Sequence, residues 1–297
     1  PTAFAKSKCV STSKDSLIVK AFQHFSASLE SMSDDKLIAF RDAVISTSYV
    51  NISSSTEEDS YTIFEILNAR GMELDDHELL KNYIMRYINP AEKRDDAKVV
   101  WSEIEQLLGS NMKPFLRHYA IQRYRLAQKD KEGPYKKIRD FTDPAKASDL
   151  LFDLKKKAEY YAELLMPTTN DRNAEILLFL KAHNVRVFRP LLMSLMHCRD
   201  REQITFHEYC DSLEFIYRFY VCYKVVGGME SNHLTDSIVR HSYSLEMNYS
   251  PEVIEEWRSS FRKKLPSIEA FKTSLGALGW SHQWSLYEDG KFKDRCK

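Results

Sequence analysis

The stretch DDHELLKNYIMRYINP, residues 75–90, decides the fold that the sequence predicts. Asp75 is followed three residues later by Glu78, the pattern of a capping box at a helix start. Apolar side chains then recur three and four positions apart, the period of a helix with one buried face. Pro90 ends the helix, because its ring removes the amide donor that a helix needs. The apolar positions are Leu79, Leu80, Tyr83, Ile84 and Tyr87.

The rest of the chain repeats this helical pattern. Gly109, Gly133-Pro134, Pro144 and Pro167 mark short connections between helices, as glycine and proline commonly do. The sequence therefore predicts a mainly α fold, a multi-helix domain. Helices are expected at 15–45 (two, the second starting near Ser33), 56–68 and 75–90, and then at about 91–109, 114–128, 145–165, 172–182, 186–198, 205–225, 231–243 and 251–263.

Residues 46–53 break this pattern and predict one strand. Val50 and Ile52 alternate with Asn51 and Ser53, which is the period of a half-buried strand. A single strand needs a partner strand, so we expect this one to be the remaining part of a truncated α+β domain. Residues 1–90 are therefore expected to form the C-terminal part of such a domain. Residues 91–297 are expected to form an all-helical domain.

The composition restricts the class of protein more than it identifies a function. The 297 residues include 43 basic and 43 acidic side chains, so the net charge favours no particular partner. Five cysteines, an odd number without paired spacing, suit a reducing cytoplasm. No apolar run reaches the ~20 residues that span a bilayer, so no membrane is expected. The chain starts at Pro1 rather than Met, and we expect it to be a fragment of a larger protein.

Residues 61–88, YTIFEILNARGMELDDHELLKNYIMRYI, carry a resemblance to a known family. They are similar to the FE-x-LN-x-RG-x-x-L…LLKN signature of the bacterial family that includes the GmrSD type IV restriction enzymes. The matching positions are Phe64, Glu65, Leu67, Asn68, Arg70, Gly71, Leu74, Leu79, Leu80, Lys81 and Asn82.

The resemblance implies a nucleotide-dependent nuclease that defends bacteria against phage or modified foreign DNA. Such proteins begin with a ParB/sulfiredoxin-like domain bearing a DGQQR motif and often end with an HNH endonuclease domain. This sequence contains neither motif. A nucleoside triphosphate and a divalent metal are expected for the intact parent, and no cofactor is expected within this fragment. Residues 1–90 would end the nucleotide-binding domain, and 91–297 would couple it to the nuclease.

The same resemblance implies nucleotide-binding residues. The turn Asn68-Ala69-Arg70-Gly71 offers an amide, open backbone and a guanidinium, which is suited to bidentate phosphate contacts. A structural alternative stays open, in which Glu65 pairs with Arg70 and Asn68 caps the turn. For Lys81 and Asn82, fixing the second helix is favoured over contact with a ligand. The candidate nucleotide-binding residues are Glu65, Asn68, Arg70, Gly71, Lys81 and Asn82.

Residues 113–139 form a locally basic segment with tyrosines between the basic residues. Basic and aromatic side chains together can neutralise phosphates and stack on bases. The alternative is a solvated helix face whose tyrosines, Tyr119, Tyr124 and Tyr135, point into the core. With DNA as the partner, the candidate nucleic-acid-binding residues are Arg117, Arg123, Arg125, Lys136, Lys137 and Arg139.

No catalytic residues are assigned, because no nucleophile motif or paired-carboxylate pattern stands out. A metal site is not expected either, since His197, Cys198, His207 and Cys210 lack ligand spacing. Two alternative functions remain, a catalytically silent helical interaction module and a nucleic-acid-binding module without nuclease activity. The expected partners are DNA and the missing domains of the parent, and homo-oligomerisation is left open.

Overall fold

The computed structural model describes residues 17–49, 63, 75–127, 130 and 133–277, with the backbone of 287–288 and 291–292. The chain divides into two units, Pro1–Ser54 and Ser55–Lys297. The expected boundary near residue 90 does not coincide with this division. Leu80 and Ile84, which precede residue 90, are buried in the same apolar core as the later helices.

The first unit contains two described helices, α1 (Leu17–Glu30) and α2 (Asp34–Ser46). Helix α2 begins directly after Ser33, at the predicted start, and Asp34 and Asp35 lie in its first turn, where the helix dipole favours acidic groups. Most apolar side chains of both helices are exposed, and among their described residues only Val19 is buried.

The predicted strand at 46–53 is not formed in the part that the structure describes. Ser46 is the last residue of α2, and 47–49 have no regular secondary structure. The hydroxyls of Ser46 and Thr47 both donate to the carbonyl of Ala43, at 3.0 and 2.9 Å. Such local bonds compete with strand pairing. Residues 50–53 lie outside the described residues.

The second unit is built from helices, which confirms the predicted mainly α class. The helices predicted within the described residues are present, with ends shifted by a few residues. The helix predicted at 56–68 lies outside the described residues, apart from residue 63. Described elements are α3 (Asp76–Tyr87), α4 (Arg94–Leu108), α5 (Met112–Tyr124), α6 (Pro134–Asp140), α7 (Ala147–Leu165), α8 (Arg172–Ala182), α9 (Arg189–Asp200), α10 (Phe206–Tyr220), α11 (Thr235–Met247), α12 (Pro251–Arg262) and α13 (Ile268–Ala277), with 3₁₀ turns at Ala91–Lys93, Gly109–Asn111, Pro144–Lys146 and Ser231–Leu234, a π-helical turn at Val221–Val226, and short antiparallel strands β1 (Tyr287–Glu288) and β2 (Lys291–Phe292).

Three sequence-based expectations about these elements need correction. Asp75 precedes α3 but makes no side-chain capping bond, because its carboxylate lies 3.5 Å from Lys113 Nζ instead. Gly133-Pro134, expected as a connection, opens α6, because proline is well tolerated in a first helical turn. Helix α13 was not predicted. A capping box does form at α10, where Thr205 and Glu208 bond reciprocally.

The core of the second unit lies between α4, α5, α7, α9 and α11. Helix α9 packs along α11, α4 packs along α7, and α5 contacts both α9 and α11. Trp101, Tyr119 and Tyr161 are fully buried within this core. Full burial of each large apolar side chain contributes roughly 1.5–3 kcal/mol, so the packing fixes the relative positions of these helices. It also brings the C-terminal end of α5 close to α7 and to the C-terminal end of α11.

Candidate nucleic-acid interface

An open pocket of about 590 Å³ lies in the second unit, where α5 ends beside α6, α7 and α11. This volume falls within the ~300–1,000 Å³ usual for small-ligand sites. Four basic and three acidic side chains line the pocket, together with aromatic rings. The lining residues are Tyr119, Arg123, Tyr124, Arg125, Lys137, Phe141, Thr142, Asp143, Lys146, Asp149, Leu150, Asp153, Tyr243 and Met247.

Arg123 is held by two side chains of α11. Its Nη1 lies 2.9 Å from Met247 Sδ and 3.7 Å from Glu246 Oε1. Burial alone would lower the pKa of Arg123, but the carboxylates of Asp153 and Glu246 raise it above its usual value. The guanidinium is therefore a permanent, oriented positive charge in the pocket wall.

Arg125 owes its position to an unusual backbone conformation. It caps α5 with φ = 55°, in the left-handed region that residues with a side chain rarely adopt. The next side chain, Leu126, is buried, which holds the turn in place. The Arg125 guanidinium lies over the ring of Tyr243, 5.4 Å from its centroid. The end of α5 thus places two arginines, two residues apart, in the same pocket.

A second cation–aromatic pair comes from α6. Lys137 Nζ lies 4.8 Å from the ring centroid of Phe141 and 3.7 Å from Asp130 Oδ2. Phe141 is 66% exposed. Thr142 follows and its hydroxyl lies 2.9 Å from the hydroxyl of Tyr124. The pocket therefore contains aromatic surface that solvent can reach beside positive charge.

The acidic side of the pocket comes from α7 and the turn before it. The hydroxyl of Tyr119 donates to Asp153 Oδ2 at 2.7 Å. Burial, followed by the charge of Asp153, raises the pKa of Tyr119, so the hydroxyl stays protonated and acts as a donor. Asp143 Oδ1 accepts from the amide of Ala145 at 3.0 Å. Asp149 is exposed in the first turn of α7. These carboxylates partly offset the cations and give the pocket a polar, mixed character.

A buried ion pair lies directly behind Arg123. Lys157 Nζ is 2.7 Å from each carboxylate oxygen of Glu246, and both side chains are fully buried. Burial raises the pKa of Glu246 and lowers that of Lys157, since it penalises both charged forms. His197 Nε2 lies 3.6 Å from Glu246, and burial lowers the pKa of His197 to about 4. We call Arg123, Asp153, Lys157 and Glu246 the pocket-floor cluster.

The structure brings together only part of the predicted nucleic-acid-binding set. Arg123, Arg125 and Lys137 line the pocket, whereas Arg117, Lys136 and Arg139 do not. Arg117 is exposed on α5, and Arg139 bonds to Asp140 at 2.8 Å. The alternative prediction was that the tyrosines of this segment point into the core. It is confirmed for Tyr119 and Tyr135, which are buried, whereas Tyr124 is half-buried.

Most of the predicted nucleotide-binding set lies outside the described residues. This applies to Glu65, Asn68, Arg70 and Gly71. Lys81 is described and its Nζ lies 3.3 Å from Glu105 Oε1, which also accepts from the indole of Trp101 at 2.6 Å. Asn82 is half-buried on α3. The Lys81 contact supports the alternative in which this residue fixes its helix to α4.

Sequence reasoning missed the residues that complete the pocket. Asp149 and Asp153 are four positions apart on one face of α7, and Lys146 lies in the turn directly before this helix. Tyr243 and Met247 are likewise four apart on α11. These spacings could have marked two stripes, a polar one along α7 and one of Tyr243 and Met247 along α11. They could not have shown that the two stripes meet at the end of α5.

No protein-family model matches the chain, and no curated protein is similar enough in sequence to match it. Within the described ranges, no three histidine, cysteine or acidic side chains are grouped to hold a metal ion. Cys198 is buried and donates to the carbonyl of Leu245, whereas His207 is exposed beside Asp211. In the part of the chain that the structure describes, no helix is long and apolar enough to cross a membrane.

Proposed function

We propose that this chain is the DNA-contacting helical part of a nucleotide-dependent defence nuclease similar to the GmrSD restriction enzymes, acting in the cytoplasm. The observation that carries the DNA-contacting role is the pocket that gathers Arg123, Arg125 and Lys137 with Lys146. Cations grouped in this way neutralise phosphates and release condensed counterions, which is the main source of affinity for nucleic acids.

The nuclease context of this proposal rests on the similarity of residues 61–88 to the family signature. In this proposal, Glu65, Asn68, Arg70 and Gly71 close one side of a nucleotide site in the intact parent. A nucleoside triphosphate and a divalent metal would supply the energy and the Lewis acid there. Nucleotide hydrolysis and strand cleavage are assigned to domains of the parent that carry the DGQQR and HNH motifs.

The test is the salt dependence of DNA binding by the 297-residue chain, followed by fluorescence anisotropy with a labelled oligonucleotide. Affinity should fall steeply with salt concentration, with a slope set by the number of phosphates contacted. Arg125→Gln should weaken binding and reduce the magnitude of that slope by about 0.7–0.9. Arg117→Gln is the matched control, since this exposed arginine lies in the same basic segment outside the pocket.

Equal losses in the two variants would locate binding on the general basic face rather than in the pocket. Absence of binding at low salt would reject the proposal. The Arg70→Ala variant tests the nuclease context separately, in the full-length parent. We expect nucleotide-dependent cleavage of phage DNA to be lost in that variant.

A second candidate function, a catalytically silent interaction module, is favoured by the exposed apolar side chains of the first unit. Leu17 is 81% exposed, Phe25 64% and Ile45 75%. Exposed apolar surface of this kind often marks a protein–protein contact. A chain that binds no oligonucleotide but self-associates in sedimentation velocity, and becomes monomeric as Phe25→Asp, would favour this function over the first.

A further inference from the structure

The shape of the basic pocket limits which form of nucleic acid can use it. Its cations line a recess of about 590 Å³ rather than a flat or convex ridge. Duplex DNA presents phosphates on its outer surface and keeps its bases stacked inside. A recess of this size instead accommodates a single unit that projects from a strand. The shape of the pocket therefore favours a flexible single strand over a duplex.

The aromatic rings point to the same form of ligand. Arg125 lies over Tyr243 and Lys137 lies over Phe141, so each ring is paired with a cation in the same pocket. Sites for single strands combine such cations with rings on which unpaired bases stack. Guanidinium planes can also stack on bases. Phe141 is 66% exposed, so its ring has open surface for such a contact.

The carboxylates of the pocket determine which end of a ligand faces which wall. Asp149 and Asp153 would repel a phosphate and would accept hydrogen bonds from the N–H groups of a base. A nucleotide has both required ends, an anionic phosphate and a base that carries donors. Its phosphate would face Arg125 and Lys137, and its base would face α7.

We propose that the pocket takes one unpaired nucleotide of a single strand, with its phosphate on Arg125 and Lys137 and its base beside Phe141 and Tyr243. This inference rests on the proposed nucleic-acid-binding function and adds to it the strand form and the unit that is bound. A free nucleotide shares this chemistry, so the experiment has to separate the two sources.

The experiment measures binding of the 297-residue chain to a labelled single strand, to the same sequence closed into a hairpin duplex, and to a nucleoside monophosphate as competitor. We expect the single strand to bind at least about fivefold more tightly than the duplex, the effect of one stacking contact. The monophosphate should compete only weakly, because it makes one phosphate contact.

Phe141→Leu and Tyr243→Leu test the rings. Each should weaken single-strand binding about fivefold or more without changing the salt slope, since neither change removes a charge. Phe206→Leu is the matched control, because its ring is 61% exposed on α10 and does not line the pocket.

The outcomes separate this inference from the function on which it rests. Equal affinity for strand and duplex, or binding indifferent to both ring variants, would overturn the inference and leave DNA binding in place. Binding of the monophosphate alone, or no binding to any oligonucleotide, would overturn the inference and the proposed function together.

Discussion

Two buried polar clusters lie one helical turn apart in the core of the second unit. They differ in how their polar groups are paired away from solvent. The pocket-floor cluster keeps an ion pair, Lys157 with Glu246, out of solvent. The second cluster, which we call the sealed cluster, contains His118, Tyr161 and Arg189. Arg189 Nη1 donates to the Tyr161 hydroxyl at 2.8 Å, and that hydroxyl lies 3.0 Å from His118 Nδ1.

The two clusters also differ in whether they reach the pocket. The pocket-floor cluster extends to Arg123 and thus to the pocket, so its charges can influence a ligand. The sealed cluster is built around a neutral imidazole, because burial, followed by the charge of Arg189, lowers the pKa of His118 to about 3. None of its three residues lines the pocket. We therefore expect the first cluster to affect stability and binding, and the second to affect stability alone.

The largest expected effect is on the ion pair. Lys157→Met leaves the fully buried carboxylate of Glu246 without its closest partner. Removing one member of such a pair typically costs 3–5 kcal/mol of unfolding free energy. Urea unfolding followed by circular dichroism measures this loss. The double variant Lys157→Met/Glu246→Leu should recover much of it, because no buried charge then lacks a partner. Additive losses in the double variant would contradict the pairing.

A smaller effect is expected in the sealed cluster. Tyr161→Phe removes the hydroxyl that His118 and Arg189 share and leaves their buried groups without that partner. Leaving a buried polar group unsatisfied costs about 1–3 kcal/mol. Urea unfolding measures the loss, and oligonucleotide affinity should not change. Tyr217→Phe, at a half-buried tyrosine outside both clusters, should change stability less. Equal losses would mean that the shared hydroxyl has no special role.

Local sequence patterns predicted the helices, because each helix depends mainly on its own apolar period and its own ends. Thr205 and Glu208 form a capping box three residues apart, and α8 spans Arg172–Ala182 as predicted. The capping box predicted at Asp75 failed because Lys113, 38 residues away, competes for its carboxylate. Composition also found Arg123, Arg125 and Lys137 within a basic segment. The rest of the site could not be predicted in this way.

Long-range contacts explain what the sequence missed. Arg123 meets Met247 across 124 residues, and Lys157 meets Glu246 across 89. No local period carries such information, and lysines at 155, 156 and 157 look alike in sequence. Only packing shows that Lys157 is buried, while Lys156 is exposed and lies 3.0 Å from Asp200. The pocket therefore depends on tertiary structure even though three of its four cations, all but Lys146, were predicted.

A pH dependence tests the neutral state of His118. Its folded pKa of about 3 lies below the ordinary 6.5, so the unfolded chain binds more protons between these values. Its contribution to stability is therefore complete above pH 6.5 and is lost as the pH falls below it. The limiting slope is ~1.4 kcal/mol per pH unit, and we expect roughly 1 kcal/mol between pH 6.5 and 5.5.

The variant His118→Asn isolates this contribution. Its side-chain oxygen can accept the Tyr161 hydroxyl proton but does not titrate. Stability should therefore fall less steeply with decreasing pH than in the wild type, where His197 and His241 also have pKa values lowered to about 4. His207→Asn, at an exposed histidine, is the control. An unchanged slope in His118→Asn would show that this imidazole is not held neutral.

The smallest effect on stability is expected for Arg125→Gly, a variant that should change binding much more than folding. Arg125 has φ = 55°, a conformation that costs a residue with a side chain about 1–2 kcal/mol and costs glycine little. Arg125→Gly should therefore change the free energy of unfolding by less than about 1 kcal/mol, and in the stabilising direction, once the extra entropy of glycine in the unfolded chain is counted.

Glu202→Gly is the matched control, since Glu202 has φ = 57°, is exposed and lies outside the pocket. Both variants should show similar, small changes in urea unfolding. Only Arg125→Gly should weaken oligonucleotide binding, because only that position places a cation beside Tyr243. Strained backbone positions often persist where function requires them. Equal binding by the two variants would show that the left-handed turn at Arg125 serves only to end α5, and the pocket would then lose its second arginine.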